Sequence, residues 1–397
     1  MKLTLERRLV PSKSASWGGL GLSILLALIM GGVVFLSAGA NPFKAYGVMF
    51  LGAFGDFYNI SEVLVKAIPL ILCGLAIAIP AKILIWNIGG EGQLAVGGIG
   101  SAAVALFLSP FLPSPLVLPS MILVGFLAGG LWASAAVALF LSSLLPSPLV
   151  LPSMILAGFL AGGLWASAAG FLKAKMGVNE ILTTLMLNYV AIYWMENLYF
   201  GPWRDPTGTG FPGTAIFPEV AWLPRFPQTR VHLGLVFGVL AALILQWAFF
   251  RTRWGYEMRV IGENPKAARY AGMNITRHIL WVMFLSGGLA GLAGMAEVSG
   301  IHYRLQQGLT VGYGYVGIIV AWLSRLNPMA IIVVGLFLAS LLVGGDQLQS
   351  VMHLPSAVGL VLEGTLLFFV LGSDFLARYR IKLTTQSREP PSKEQGA

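Results

Sequence analysis

The chain has 397 residues, 57% of them hydrophobic and 10% charged, against about 25% charged in an average soluble domain, which excludes an ordinary water-soluble fold. The formal charge of +9 comes from Lys and Arg in short clusters between apolar runs; that pattern belongs to loops on one side of a membrane rather than to a nucleic-acid-binding face. Cys73, the single cysteine, sits inside an apolar run and excludes a disulfide framework or a cysteine metal site within one chain.

A membrane-crossing helix needs about 20 apolar residues. The segment 1–17 is basic through Lys2, Arg7, Arg8 and Lys13. The run after it, 18–40, is too long for a signal-peptide core and reads as a first crossing that enters from the cytoplasm. Further runs occupy 62–84, 91–109, 116–137, 149–172, 180–200, 231–250, 279–298, 313–325, 329–345 and 356–377, eleven in all. They predict an all-α polytopic membrane protein: one membrane domain over 18–377, with about ten transmembrane helices plus one duplicated hydrophobic segment.

The duplication is explicit. Ser101–Ala136 returns as Ser134–Ala169 at a 33-residue offset, a tandem repeat within 101–169 of one helix and one Pro-rich loop. The N-terminus, Lys173 with Lys175, residues 251–278, Arg325 and the basic stretch from Arg378 should all face the cytoplasm, so even numbers of crossings should separate them. Five runs before Lys173 break that parity, and one duplicated copy is therefore expected not to span. Of the long connections, 201–230 is rich in Pro, Gly and Trp and reads as an ordered outer loop, while 251–278 is a basic cytoplasmic loop. Residues 378–397 read as a disordered cytoplasmic tail.

No Lys follows a Gly anywhere, so a G-x-x-x-x-G-K-[ST] phosphate loop is excluded and the chain is expected to hydrolyse no ATP itself. His232, His278, His302 and His353 lie far apart without metal-ligand spacing, and no Ser/His/acid set stands out. The expectation is no catalytic residue, no cofactor and no metal.

Two Gly-rich interruptions of apolar runs do stand out: 86–93, with Asn87, Gly90, Glu91 and Gln93, and 312–317, with Gly314. Non-helical backbone at membrane depth is tolerated where it is buried in protein or faces a water-filled cavity, and paired breaks in two halves of a transporter point to a solute route. The alternative for 86–93 is an ordinary polar turn. Glu363, Glu297 and Glu180 are ionisable residues in or beside apolar runs, able to line a path or to make interhelical hydrogen bonds. The candidate path residues are Asn87, Gly90, Glu91, Gln93, Asn188, Gly314 and Glu363. Ser286–Gly294, by contrast, reads as a seam for close helix packing.

In the basic loop, Pro265 follows Asn264 at a helix start and Gly272 stands just past the last turn, predicting a short capped helix. Ala267, Ala268 and Ala271 would give it a small-residue face for a partner's groove, the alternative being a helix resting on the bilayer.

NIGGEGQL, GVNEILTTLMLNY, GYEMRVIGENPKAARYAGM, SGGLAGLAGMAE and GYGYVGIIVAWL, in this order between Leu20 and Arg378, closely resemble the permease subunits of bacterial ABC importers for nucleosides, within the ribose and branched-chain amino-acid permease superfamily. The resemblance implies pairing with a second permease, here a paralogue in a heterodimer, a separate ABC ATPase bound at the inner loop, and an extracytoplasmic substrate-binding lipoprotein. It implies a multi-pass subunit of the bacterial inner membrane with both termini cytoplasmic. The Gly255–Gly272 loop matches the coupling helix of such permeases, which carries ATPase-coupling roles onto Gly255, Arg259, Gly262, Glu263, Asn264, Pro265, Ala267, Ala268, Ala271 and Gly272. Two departures are visible: Ala81-Lys82 stands where the family usually has Arg, and the 33-residue duplication is extra. The rival readings are a secondary transporter, which would need mid-membrane coupling carboxylates and no docking helix, and a membrane scaffold, which would need no paired breaks.

Overall fold

Long apolar runs become helices because a backbone without water must satisfy its own hydrogen bonds. The computed structural model describes residues 2–7, 13–108, 150–208, 210–354, 361–362, 364–365, 368–369 and 379–384, and most of them are helical. The described helices are α1 (Lys13–Ser37), α2 (Pro42–Phe54), α3 (Phe57–Ala81), α4 (Gly90–Ala103), α5 (Val150–Met176), α6 (Glu180–Phe200), α7 (Gly234–Arg251), α8 (Arg253–Glu263), α9 (Pro265–Tyr270), α10 (Ile275–Glu297), α11 (Tyr313–Leu323) and α12 (Pro328–Met352). Short π-helical segments, Val104–Leu108 and Val298–His302, extend α4 and α10. The expected all-α class holds, and the runs expected at 62–84, 149–172, 180–200 and 231–250 fall on α3, α5, α6 and α7. Residues 109–149, with most of the duplication, lie outside the described residues, as does most of the run 356–377.

The chain forms two compact units, residues 50–343 and residues 1–49 with 344–397. In the larger unit α10 packs on α5, α4 and α3, and α3 packs on α11. The span of α3 is 89% buried, whereas that of α7 is 28% buried, so α3 is central and α7 peripheral. The α5–α10 contact is a backbone seam. A methyl added to Gly291 would overlap the Gly158 carbonyl, and one added to Gly162 would overlap that of Gly287. These pairs stand four residues apart on each helix, the small-xxx-small spacing that lets membrane helices associate through close van der Waals contact. The far side of the same α10 glycines meets α4, where Gly97 abuts Gly291 and Gly294 abuts the Leu94 carbonyl.

One expected crossing is corrected. The run 313–325 becomes α11, eleven residues long and so about 16 Å, half of a core about 30 Å thick. It is preceded by the non-helical stretch 303–312. On the other side, Lys82–Gly89 is likewise non-helical before α4.

In the smaller unit, α1 carries Ser23, whose hydroxyl donates to the Phe369 carbonyl at 2.8 Å, and the Tyr46 hydroxyl donates to the Leu28 carbonyl at 2.6 Å. A two-stranded antiparallel ribbon pairs β1 (Lys2–Arg7) with β2 (Tyr379–Thr384), Lys2 opposite Thr384. The stretch expected to be a disordered tail from 378 thus contributes a strand over Tyr379–Thr384.

The seam predicts a graded response to bulk. Gly291→Val should lower the thermal midpoint of the purified protein, because two backbones must separate and overpacking costs roughly 1–3 kcal/mol. Gly21→Ala, where a methyl meets nothing within 4 Å, should leave it unchanged. Equal effects from the two substitutions would contradict the seam.

Candidate functional site

Once the chain leaves α3 at Ala81, the amides of Lys82, Ile83, Leu84 and Ile85 still close on the last carbonyls of α3, Ile79, Pro80 and Ala81; beyond them, side chains meet the backbone of Ile88, Gly89 and Gly92. Asn188 on α6 accepts from Gly92 N at 2.8 Å through Oδ1 and donates to the Ile88 carbonyl at 2.9 Å through Nδ2. Thr184, one turn earlier, accepts from Ile88 N at 3.2 Å. Asn87 closes its own loop: Oδ1 accepts from Gly89 N and Gln93 Nε2, both at 2.9 Å, while Nδ2 donates to Gln93 Oε1 at 2.9 Å and to Ser286 Oγ on α10 at 2.8 Å. Asn87, Gln93, Thr184, Asn188 and Ser286 are all buried, which matches the rule that polar groups go inside only with partners.

Glu91 completes the junction. Helix α11 starts after Gly312, whose φ of 95° only glycine adopts freely and which offers no capping side chain. Glu91 caps it from across the junction, Oε1 accepting from Gly312 N at 2.8 Å and Oε2 from Gly314 N at 2.6 Å. Neither oxygen needs a proton for these bonds. Glu91 also stands in the first turn of α4, so the positive ends of two helix dipoles converge on one carboxylate. The approach requires glycine at 314, where a methyl would overlap the Glu91 amide, and is tight at Gly90, where one would come within 3.3 Å of Gly314 Cα.

Three helices place this junction at the same depth. Ser286 lies eleven residues into α10, about 16 Å, and Asn188 eight residues into α6, about 12 Å. Gly317 abuts Cys73, eight residues before the end of α3, again about 12 Å. All are measured from the end that carries Lys173, Lys175 and Arg251. In a hydrocarbon core about 30 Å thick, that is near the middle.

At that basic end, the expected capped helix is α9: Asn264 Oδ1 accepts from Lys266 N at 3.0 Å and Ala267 N at 3.1 Å, and Gly272 follows with a φ of 78°. Its orientation corrects the expectation of a docking face containing Ala268. Ala268 is fully buried in the chain's own packing, while Pro265, Lys266, Ala267, Arg269, Ala271 and above all Tyr270, 94% exposed, face outward. Within the chain, Gly255 packs on the Phe249 carbonyl and Gly262 on the Lys82 carbonyl. Arg259 donates to the Phe249 carbonyl, and Glu263 is exposed. Glu257 Oε2 of α8 stands 3.0 Å from His278 Nε2 of α10, without hydrogen-bond alignment.

At the opposite end, the loop 201–233 is ordered by backbone bonds to the chain after α10: Thr214 N to the Leu305 carbonyl at 2.9 Å, Phe217 N to the Tyr303 carbonyl at 2.7 Å and Leu223 N to the Ser299 carbonyl at 3.0 Å. Trp222 stacks on Tyr303 with ring centroids 4.2 Å apart, and Arg225 lies over the same ring at 4.8 Å. His232 is fully buried there, its Nδ1 accepting from Gly234 N at 3.2 Å. Burial, and then the Arg225 charge, push its pKa down to about 4.

These features meet a consistent set of relatives. A family model described as "Branched-chain amino acid transport system / permease component" matches residues 130–371. The glucose ABC transporter permease protein TsgB13 of Haloferax volcanii is 34% identical, over 96% of this chain and 94% of that one. The guanosine ABC transporter permease protein NupP of Bacillus subtilis is 28% identical over 89% and 92% of the two chains. The nucleoside ABC transporter permease protein NupB of Lactococcus lactis is 26% identical over 88% and 89%. The chain belongs to this permease family.

Of the permease's candidate path residues, Asn87, Gly90, Glu91, Gln93, Asn188 and Gly314 converge on the one junction, and Glu363 lies outside the described residues. Glu180 pairs with Lys173 at 2.7 Å at the basic end, and Glu297 sits at the other end of α10, 3.8 Å from His302 Nε2. Four more residues belong to the junction: Gly312 and Tyr315, whose hydroxyl is 3.3 Å from Asn188 Nδ2, fall within the interruption 312–317, Ser286 is in the stretch read as a packing seam, and Thr184 is the one the sequence reading did not single out. Thr184 stands one turn before Asn188, and that i, i+4 spacing on one helix face was the available signal.

Two outcomes follow for the permease. Gly314→Ala should abolish uptake and lower thermal stability, while Gly90→Ala, which needs only a small shift, should keep most of both; the reverse ranking in a paired uptake and unfolding assay would contradict the junction. The loop 201–233 should loosen in acid. Freed His232 takes up a proton below its ordinary pKa of 6.5 while docked His232 stays neutral down to about 4, so docking weakens as pH falls through that window, by about 3 kcal/mol in full. Limited proteolysis of the loop should accelerate from pH 7 to pH 4 in wild type and far less in His232→Asn, whose amide oxygen can replace Nδ1 as acceptor. Identical pH profiles would rule the effect out.

Proposed function

We propose that this permease moves nucleosides, or a related sugar-type solute, into a bacterial cell, driven by a separate ABC ATPase. In this reading it pairs with a paralogous permease in a heterodimer and receives solute from an extracytoplasmic substrate-binding lipoprotein. The basic end is cytoplasmic, with both termini on that side, as the positive-inside bias of Lys173, Lys175, Arg251 and Arg325 supports. The solute class rests on the guanosine, nucleoside and glucose permeases among its relatives.

The observation that carries the reading is α9. It is a doubly capped helix on the basic end that presents a nearly naked aromatic, Tyr270, in a chain where water-exposed Tyr is expected to mark a contact surface. The adjoining helix α8 leads inward, since Gly262 packs on Lys82, the first residue of the stretch that ends in the Asn87–Glu91 junction. A cleft of about 420 Å³ between Trp254 of α8 and Arg277 and Trp281 of α10 adjoins it and extends the surface open to an ATPase.

Purified alone, the permease should hydrolyse no ATP. In the assembled complex, Tyr270→Asp should cut lipoprotein-stimulated hydrolysis and uptake by about tenfold, the equivalent of one lost contact of about 1.4 kcal/mol, while solute capture by the lipoprotein stays unchanged. Ala268→Trp should instead destabilise the loop itself. Wild-type hydrolysis and uptake in Tyr270→Asp would remove α9 as the coupling element.

A further inference from the structure

The junction is internally satisfied, so its buried amides have little left to offer a solute. The surface beside it is different. Helix α6 is laid along one side of the larger unit and exposes a stripe of Leu182, Met186, Tyr189, Tyr193 and Asn197. Tyr189 and Tyr193 are 48% and 66% exposed, and among the described residues neither hydroxyl has a hydrogen-bond partner. Asn188, next to Tyr189, reaches the hydroxyl of Tyr315, which is itself 36% exposed on α11. Tyr189 and Tyr315 thus flank Asn188 at the exposed edge of the junction, with Tyr193 one turn further along α6.

Depth makes them informative. Tyr189 is nine residues and Tyr193 thirteen residues beyond Glu180, about 14 and 20 Å from the basic end. Tyrosines facing lipid belong at the headgroup level, where the hydroxyl stays wet. A phenol hydroxyl left without a partner in hydrocarbon is penalised by about 1–3 kcal/mol. The peripheral helix α7 shows what a lipid-facing stripe looks like in this chain: Leu240, Leu243, Ile244 and Trp247 are exposed, with no hydroxyl among them. On α6, Leu182 and Met186 are exposed nearer the basic end, and hydroxyl-bearing side chains appear from mid-depth, Tyr189 and Tyr193, beside the exposed Val190.

We infer that the Tyr189–Tyr193 face of α6, with Tyr315 at its foot, is a wall of the aqueous path on which the ring of an uncharged solute stacks. Aromatic faces accept planar bases with hydroxyls at their edges free to bond ribose or ring polar groups, which favours a nucleoside. Glu91 already fills the positive ends of α4 and α11, the two helix starts that meet at this depth among the described residues, and the wall suits a neutral nucleoside better than its phosphate ester. The inference rests on the nucleoside reading given above and assigns that reading a contact surface.

Cysteine chemistry tests it in the assembled complex, because the single native thiol, Cys73, is fully buried and gives a quiet background. Tyr189→Cys and Tyr193→Cys should react with a charged, membrane-impermeant methanethiosulfonate in proteoliposomes, and Ile244→Cys on α7 should not. Guanosine added with the lipoprotein should slow the reaction at both α6 positions. Tyr189→Leu should reduce guanosine uptake by roughly tenfold, within the 1–3 kcal/mol range of base stacking, while Tyr189→Phe, which keeps the ring, should retain most of it. Thiols as inert as Ile244→Cys would overturn the proposal, placing the stripe against lipid. So would loss of the second permease from the Tyr189→Leu complex, which would make it a subunit interface. Labelling slowed by glucose but not by guanosine would keep the wall and sink the nucleoside reading instead.

Discussion

A backbone that leaves the helix in the middle of a membrane must have every amide met from within the protein, and in this permease the Glu91 carboxylate is the group that makes two such departures possible together. It stands in the first turn of α4 and accepts the leading amides of α11. Other features follow from accommodating it. Gly90 and Gly314 lack side chains because the two helix starts touch there. Asn87, Gln93, Thr184, Asn188 and Ser286 tie the remaining loop groups to α6 and α10. The glycine seam of α5 and α10, with α4 pressed on its other side, brings the backbones close enough for those short side chains to reach.

The same arrangement gives the basic end a short connection to mid-depth. Helix α8 rests its Gly262 on Lys82, and five residues later Asn87 enters the junction. The first residues of that connection form a turn bonded back to the Ile79, Pro80 and Ala81 carbonyls of α3, so the link from α8 to the junction is short and tied to α3. At the opposite end, the loop 201–233 is clamped to the segment that leads down into α11. The non-helical stretches 82–89 and 303–312 therefore each run from one face to the same carboxylate, one from the basic end and one from the loop end, as expected of a protein that alternates access around a fixed middle.

Much of this was legible in the sequence because membrane helices declare themselves by length and apolarity, and because Gly and Asn mark the places where helices stop. The run 180–200 coincides with α6, and Asn264, Pro265 and Gly272 delimited α9. What stayed hidden has physical reasons. The run 313–325 is apolar enough for a span, but only its shortness distinguishes a half-helix from a crossing. Ala268 was placed on the wrong face because six residues give fewer than two turns, too few for periodicity to choose a side. Ser286 and Thr184 look like any small polar residue in a membrane helix until their partners are seen. The β1–β2 ribbon had a signal: Leu3 and Leu5, and Tyr379, Ile381 and Leu383, alternate with polar residues in the period of a strand, but the flanking charges drew the reading toward loops.

The most direct test of the account is neutralisation of Glu91 with its shape kept. Glu91→Gln replaces one accepting oxygen with an NH2 group that must face the Gly312 or Gly314 amide, donor against donor, and leaves one positive helix end unanswered. Thermal unfolding of the purified permease and solute uptake by the assembled complex, measured side by side, should both fall well below wild type, with a stability loss of roughly 1.5–3 kcal/mol, the value of a hydrogen bond to a charged group. Wild-type stability and wild-type uptake in Glu91→Gln would show that the carboxylate does not hold the two helix starts together.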